Sequence, residues 1–298
     1  MNTSASLQML FTILPEIILI AMATWMFLSA AFAGKPGNWT AFALVGVVSA
    51  AFALVLQASG MNPGQLAGSA PPSSSGPVAL DALSLVIRAL TVFGGLVLVG
   101  AAAFGGGKRL SGEYLGCLLM TLAGVMLTAA AQDLVILFLA LELISIPTYV
   151  LLFLGRADAS SSEATIKYFL LSIVSSAILL YGFALLYGVA GTTELPGIAA
   201  AFRSMSEPSL LAGVALVFLV AALGFKIAAV PLHFYAPDVY EGTTAGNAGL
   251  LAVLPKIAGI VVLVRIAGVA MGGMESYGWQ LALVLAVLTM TLGNFAAL

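Results

Sequence analysis

SLLAGVALVFLVAALGFKIAAVPLHFYAPDVY, residues 209–240, decides the fold. It is apolar throughout, with Lys226 as its only charge before Asp238. As one straight helix these 32 residues would measure about 48 Å, against a bilayer core of about 30 Å. Gly224, Pro231 and Pro237 punctuate the run. Proline removes a backbone donor and clashes with the preceding turn, so the helix is predicted to break near residues 228–232. Interrupted helices persist at membrane depth where they line a cavity, and they commonly mark ion sites. A simple packing kink is the alternative.

The rest of the chain has the same character. Of 298 residues, 62% are hydrophobic and 7% charged, with a net charge of −2. A soluble domain of this composition has nothing to cover its surface, and a nucleic-acid binder needs a basic footprint. At roughly 20 residues per crossing, the apolar content allows about nine spans. Long apolar runs fall at 7–33, 40–58, 78–104, 112–131, 133–154, 164–190, 209–240, 247–270 and 276–298. Backbone groups in lipid need internal partners, so these runs are predicted helices. The fold class is an all-α polytopic membrane protein of about nine transmembrane helices, the seventh broken. Residues 58–77 are rich in Gly, Pro and Ser and read as a flexible external loop. The single Cys117 excludes an internal disulfide and a Cys-ligated cluster, and the single His233 argues against a His-based metal or haem site.

Two apparent motifs are set aside. Ala31-Phe32-Ala33 resembles a signal-peptidase site, but the leader has no positive charge and the stretch carries Glu16, so a retained first helix is expected. Gly105-Gly106-Gly107-Lys108 lacks the first glycine and the hydroxyl residue of a phosphate loop. With the N-terminus outside, Lys35, Lys108, Arg109, Arg156 and Lys167 fall inside and Arg203 and Arg265 outside, which satisfies the positive-inside bias.

Three ionisable residues lie far from any interface. Glu142 and Lys256 are each nine residues into their runs, about 14 Å deep, and Lys226 stands just before the expected break. A charge at such depth is costly unless paired or hydrated, which makes each a functional candidate. Glu142 with Lys226 as a static ion pair, and Lys256 as a snorkelling side chain, are the structural alternatives. Pro147, five residues after Glu142, is expected to loosen the backbone there. Arg88, with Asp81 two turns back, is read as part of a structural pair or as a snorkelling residue, with a transport role as the alternative, and Glu16 as solvated. Asp133, Asp158, Glu163, Asp238 and Glu241 lie near helix ends, where capping and solvated roles are the default. His233 follows the break; packing and proton relay stay open for it.

These residues carry a family resemblance. LALELISIPTYVL at 139–151, EATIKYF at 163–169 and GFKIAAVPLHFYAPDVYEG at 224–242, together with LPEIIL at 14–19 and Pro255-Lys256, resemble subunit N of bacterial NADH-quinone oxidoreductase. That subunit is one of the antiporter-like membrane subunits of respiratory complex I. The resemblance implies that Glu142 is the fifth-helix glutamate, Lys226 the broken-helix lysine, Lys256 the central-axis lysine and His233 the histidine after the break. It implies proton translocation coupled to NADH oxidation and quinone reduction in partner subunits. NADH, flavin, iron–sulfur clusters and quinone belong to those partners, and no cofactor or metal is expected in this chain. A bacterial inner-membrane location is implied as well. Two departures stand out. Thr243-Thr-Ala-Gly-Asn247 has no proline where the family has a Pro-rich run. The family has about fourteen helices, so residues 1–298 read as a single antiporter-like domain without its C-terminal part. The competing classes are a subunit of a multi-subunit Na+/H+ antiporter or membrane-bound hydrogenase, and a non-catalytic membrane scaffold.

Overall fold

A computed structural model describes residues 9–32, 38–59, 76–104, 111–155, 158–205 and 209–297. Ten helices are described: α1 (Leu14–Phe32), α2 (Trp39–Ala58), α3 (Ala82–Phe104), α4 (Gly112–Ala130), α5 (Leu134–Gly155), α6 (Ala159–Ala190), α7 (Leu195–Ser204), α8 (Leu210–Lys226), α9 (Tyr235–Glu241) and α10 (Ala245–Ala297). Among the described residues eight stretches are long and apolar enough to cross a membrane, and α8 is a shorter apolar helix. The expected multi-pass helical architecture is present. The phosphate-loop look-alike, Ala33 of the signal-like site, most of the 58–77 loop, and Lys35, Lys108, Arg109 and Arg156 of the orientation argument lie outside the described residues.

Two stretches differ from expectation. Residues 195–204, expected as loop, form α7, whose Leu195, Ile198 and Phe202 are buried. Pro196 stands in its first turn, where a missing N–H leaves no bond unmade. Residues 271–275, expected as a turn, continue α10, which is 53 residues long. Gly272 and Gly273 lie within the continuous stretch, where each glycine weakens a helix by about 1 kcal/mol without forbidding one.

The chain forms two compact units, Met1–Gln132 with Leu139–Leu154, and Asp133–Phe138 with Gly155–Leu298. In the first, α4 is the central helix: α1, α2 and α3 all pack on it. Helices in lipid gain little from burying apolar surface against each other, so small residues that allow close approach decide who packs where. A Cβ on Gly116 would stand 2.8 Å from the Phe27 ring of α1, and one on Gly124 would stand 2.7 Å from Ile144 of α5.

A buried ionic cluster ties the first three helices. Arg88 of α3 is wholly buried and its Nη2 lies 2.7 Å from Oε1 of Glu16 of α1. The same nitrogen donates to the Thr12 carbonyl (3.1 Å), and Nη1 donates to Oε1 of Gln57 of α2 (3.4 Å). Gln57 Nε2 donates to the Phe11 carbonyl at 2.6 Å. This corrects one expectation, since Glu16 is buried rather than solvated, and it makes Arg88 a member of a structural pair whose partner is Glu16. Asp81 serves as the cap of α3, its Oδ1 accepting from Ser84 N–H at 2.8 Å while its own N–H donates to Ser84 Oγ at 3.0 Å. Its carboxylate is thereby committed locally.

In the second unit, α6 packs on α7, α8 and α9, and α10 packs on α7, α8 and α9. The first turn of α5 is pinned by Asp133, whose Oδ1 accepts from Val135 N–H (2.8 Å) and whose Oδ2 receives the Thr193 hydroxyl. Asp158 caps α6 through Ser161 N–H.

Breaking the Arg88–Glu16 pair from one side strands a buried charge. Glu16→Ala or Arg88→Ala is expected to lower stability by about 3–5 kcal/mol, whereas Glu16→Leu with Arg88→Met recovers most of it. Unfolding midpoints of the detergent-solubilised variants check this.

Candidate functional site: the broken helix and its two lysines

α8 ends at Lys226 and helical structure resumes at Tyr235. The stop comes slightly before the expected 228–232 because the ring of Pro231 would strike the carbonyl four residues back, that of Ile227. The end is closed by a two-bond C-terminal motif. Ala229 N–H bonds Gly224 O at 2.8 Å, and Ala228 N–H bonds Phe225 O at 3.0 Å. Such a motif needs a left-handed residue between them, and Ala228 supplies it at φ 57°. The Val230–Pro231 peptide is cis. Val230 N–H donates to Thr289 Oγ1 of α10 at 3.1 Å, so the backbone freed by the break finds a side-chain acceptor. Pro237 falls in the first turn of α9, where its missing N–H breaks no helical bond.

Lys226 is 6% exposed and is the last residue of α8. The carbonyl end of a helix carries partial negative charge and favours a cation there. Lys256 lies on α10, directly after Pro255. Its Nζ donates to the Tyr235 hydroxyl at 3.5 Å and stands 5.7 Å from the Tyr235 ring centre and 5.6 Å from that of Tyr240. Aromatic faces hold a cation without neutralising it. His233 lies in the connecting segment. Its Nδ1 is buried and has no hydrogen-bond partner among the described residues, so a donor or acceptor is held ready there.

The elements carrying the two lysines meet at Gly259. A Cβ on Gly259 would stand 2.6 Å from Cγ2 of Ile227 and 3.6 Å from Cβ of Lys226. Gly259 is three residues after Lys256, on the same helix face. The second unit therefore brings Lys226, Lys256 and the His233 segment together. Glu142 belongs to the first unit, part-buried on α5 with Pro147 one turn further on. Around it Ser145 Oγ donates to Leu141 O (2.8 Å) and Thr148 Oγ1 to Ser145 O (2.6 Å), which places hydroxyls beside the backbone that Pro147 interrupts.

Tyr235, Tyr240, Gly259, Ala228 and Thr289 were not singled out in the sequence. Their roles rest on tertiary contacts and backbone conformation, which the pattern of residues does not mark. Two further features complete the unit. An apolar cavity of about 440 Å³ lies between α8 and α10, bordered by Leu223, Gly224, Ile227 and Thr289. At the exposed end, Lys167 of α6 bonds Asp238 of α9 and Glu163, each at 2.8 Å.

A bundle of apolar helices with one interrupted at a buried lysine, a second lysine beside it and a histidine in the gap defines an antiporter-like membrane subunit. The chain belongs to the family described as NADH:quinone oxidoreductase/Mrp antiporter, transmembrane, which matches residues 131–298. It is 38% identical to NADH-quinone oxidoreductase subunit N of Trichlorobacter lovleyi over 96% of this chain and 58% of that protein. It is 40% identical to NAD(P)H-quinone oxidoreductase subunit 2 of Thermosynechococcus vestitus over 96% of this chain and 55% of that protein. Its fold matches a chain of respiratory complex I from Thermus thermophilus with bound aureothin at a TM-score of 0.75 and 29% identity, covering 95% of this chain and 58% of that one. The chain thus spans a little over half the length of these relatives.

The close approach at Gly259 and the left-handed alanine give opposite outcomes. Gly259→Ala is expected to destabilise by about 1–3 kcal/mol through overpacking, with recovery when combined with Ile227→Ala. Ala228→Gly is expected to stabilise by about 1 kcal/mol. Thermal unfolding of the three variants checks both signs.

Proposed function

We propose that this chain is the proton-translocating part of a subunit-N-type membrane subunit of NADH-quinone oxidoreductase. Lys226, Lys256, His233 and Glu142 take part in proton transfer. The observation that carries this is Lys226, an amine 6% exposed at the end of a helix broken inside an apolar bundle. The names of the relatives support the redox-driven complex. The partners are the other membrane and peripheral subunits, in which NADH, flavin, iron–sulfur clusters and quinone reside, and the location is the bacterial inner membrane with the N-terminus outside.

Burial disfavours the charged form of an amine and an approaching carboxylate favours it again. A carboxylate that moves toward and away from a buried lysine therefore loads and unloads its proton. Moving one proton against ~180 mV takes roughly 4 kcal/mol, which corresponds to about a thousandfold change in proton affinity. Pairing and burial together supply changes of that size. By the family resemblance, Glu142 is the carboxylate and Lys226 and Lys256 are the amines proposed for this chemistry. The family description also names Mrp antiporters. A Na+/H+ antiporter or membrane-bound hydrogenase subunit is accordingly the second reading, and dependence of transport on Na+ rather than on NADH separates the two.

In membranes containing the assembled complex, Lys226→Ala and Glu142→Ala are each expected to lower NADH-driven proton uptake on the order of tenfold or more, the scale of losing a positioned acid or base. Glu142→Asp keeps the charge and is expected to retain most of the rate. Unimpaired uptake in both alanine variants contradicts the assignment.

A further inference from the structure

Tyr235 stands at the junction of everything the break requires. It is 3% exposed. Its hydroxyl donates to the carbonyl of Phe225 at 2.9 Å and accepts from Lys256 Nζ at 3.5 Å. The Phe225 carbonyl is the one that Ala228 N–H also bonds, so it belongs to the motif that ends α8, one residue before Lys226. The ring is held independently: its centre lies 4.4 Å from that of Phe225 and 5.7 Å from that of Tyr168 of α6. The hydroxyl is consequently a positioned group with a fixed base, touching the Lys256 amine on one side and the end of the Lys226 helix on the other.

A phenol has one proton to donate and can accept on the same oxygen. While Lys256 is an ammonium it can only donate, so the phenol oxygen accepts from it and the phenol proton is directed to the Phe225 carbonyl, an arrangement that the 3.5 and 2.9 Å separations fit. When Lys256 is a neutral amine, its nitrogen presents a lone pair, the better acceptor, to the same hydroxyl. The O–H then turns to Lys256, and the Phe225 carbonyl loses its second donor. No proton leaves the phenol in this exchange; only the direction of its bond changes. We infer that Tyr235 is a positioning residue that couples the charge on Lys256 to the geometry of the α8 end carrying Lys226. This deepens the proton-transfer role proposed for the two lysines and rests on it.

Among the described residues, Lys256 of α10 and Tyr168 of α6 lie against Tyr235, Tyr240 of α9 lies against Lys256, and Lys226 follows Phe225 at the end of α8. The nearest surface charges, Glu163 and Lys167 of α6, are engaged with one another and with Asp238.

The test uses the assembled complex in membranes, reading NADH-driven proton uptake against pH for Tyr235→Phe, Lys256→Ala and the double variant. Phenylalanine keeps the ring and its packing and removes only the hydroxyl. Tyr235→Phe is expected to lower uptake about tenfold, the effect of losing a hydrogen bond to a charged group, and to displace the pH profile. The double variant is expected to match Lys256→Ala alone, because Tyr235 acts through Lys256. Wild-type uptake in Lys256→Ala would instead remove the lysine's role and the proposed function with it. Impaired Lys256→Ala beside a Tyr235→Phe variant of wild-type rate and profile, or fully additive losses, overturns the coupling alone. If Tyr235→Phe does not assemble, 3-fluorotyrosine at position 235 keeps the shape and acidifies the hydroxyl; a displaced profile supports the coupling and an unchanged one overturns it.

Discussion

Ending a helix inside an apolar medium is the constraint on which the second unit depends. A helix that stops in water hands its last carbonyls to solvent; one that stops in lipid or in a packed bundle must find donors within the protein. Here Pro231 forces the stop, and the consequences are met one by one. Ala228 turns left-handed so that two amides can reach back to Gly224 and Phe225. Thr289 takes the orphaned Val230 N–H, and Tyr235 adds a hydroxyl to the Phe225 carbonyl. The packing follows the same demand, since α10 reaches the broken end only because residue 259 has no side chain.

The two units hold charge in contrasting ways. Arg88 and Glu16 are paired at 2.7 Å, and the two terminal guanidinium nitrogens also donate to Gln57 and to the Thr12 carbonyl. An arginine never gives up its proton in a protein, so this cluster ties three helices together around a fixed charge. Lysine differs because its amine loses its proton readily when buried. The groups the fold sets against Lys256 are a hydroxyl and two aromatic faces, which hold a cation without locking it. Lys226, at a helix terminus, is stabilised by backbone dipoles whose orientation depends on the break itself. A paired charge thus ties helices of the first unit, and two lysines stand at the interrupted helix of the second.

Much of this was legible in the residues. The apolar runs located the spans, and Pro231 with Pro237 located the break to within a few residues. Depth within the runs was enough to single out Lys226, Lys256 and Glu142. What stayed hidden depends on tertiary proximity or on unusual backbone. The partner of Arg88 is 72 residues away on another helix, whereas Asp81 looked available and is spent on a cap. Ala228 gives no sign of a left-handed conformation, because glycine is the residue that normally marks one. The stretch 271–275, expected as a turn, lies inside α10, since no proline enforces a stop there. The role of Tyr235 cannot be read from pattern at all: an aromatic residue in an apolar run is ordinarily packing, and only the position of its hydroxyl distinguishes it.

The central claim is that these buried lysines change protonation as the protein works. Isotope-edited infrared difference spectroscopy of nitrogen-15 lysine in the assembled complex, comparing the resting state with steady NADH turnover, reads it directly. The expected result is an ammonium N–H band that changes on turnover and disappears from the difference spectrum when Lys226 or Lys256 is replaced. A lysine spectrum that is the same at rest and during turnover, with both residues in place, would contradict the account.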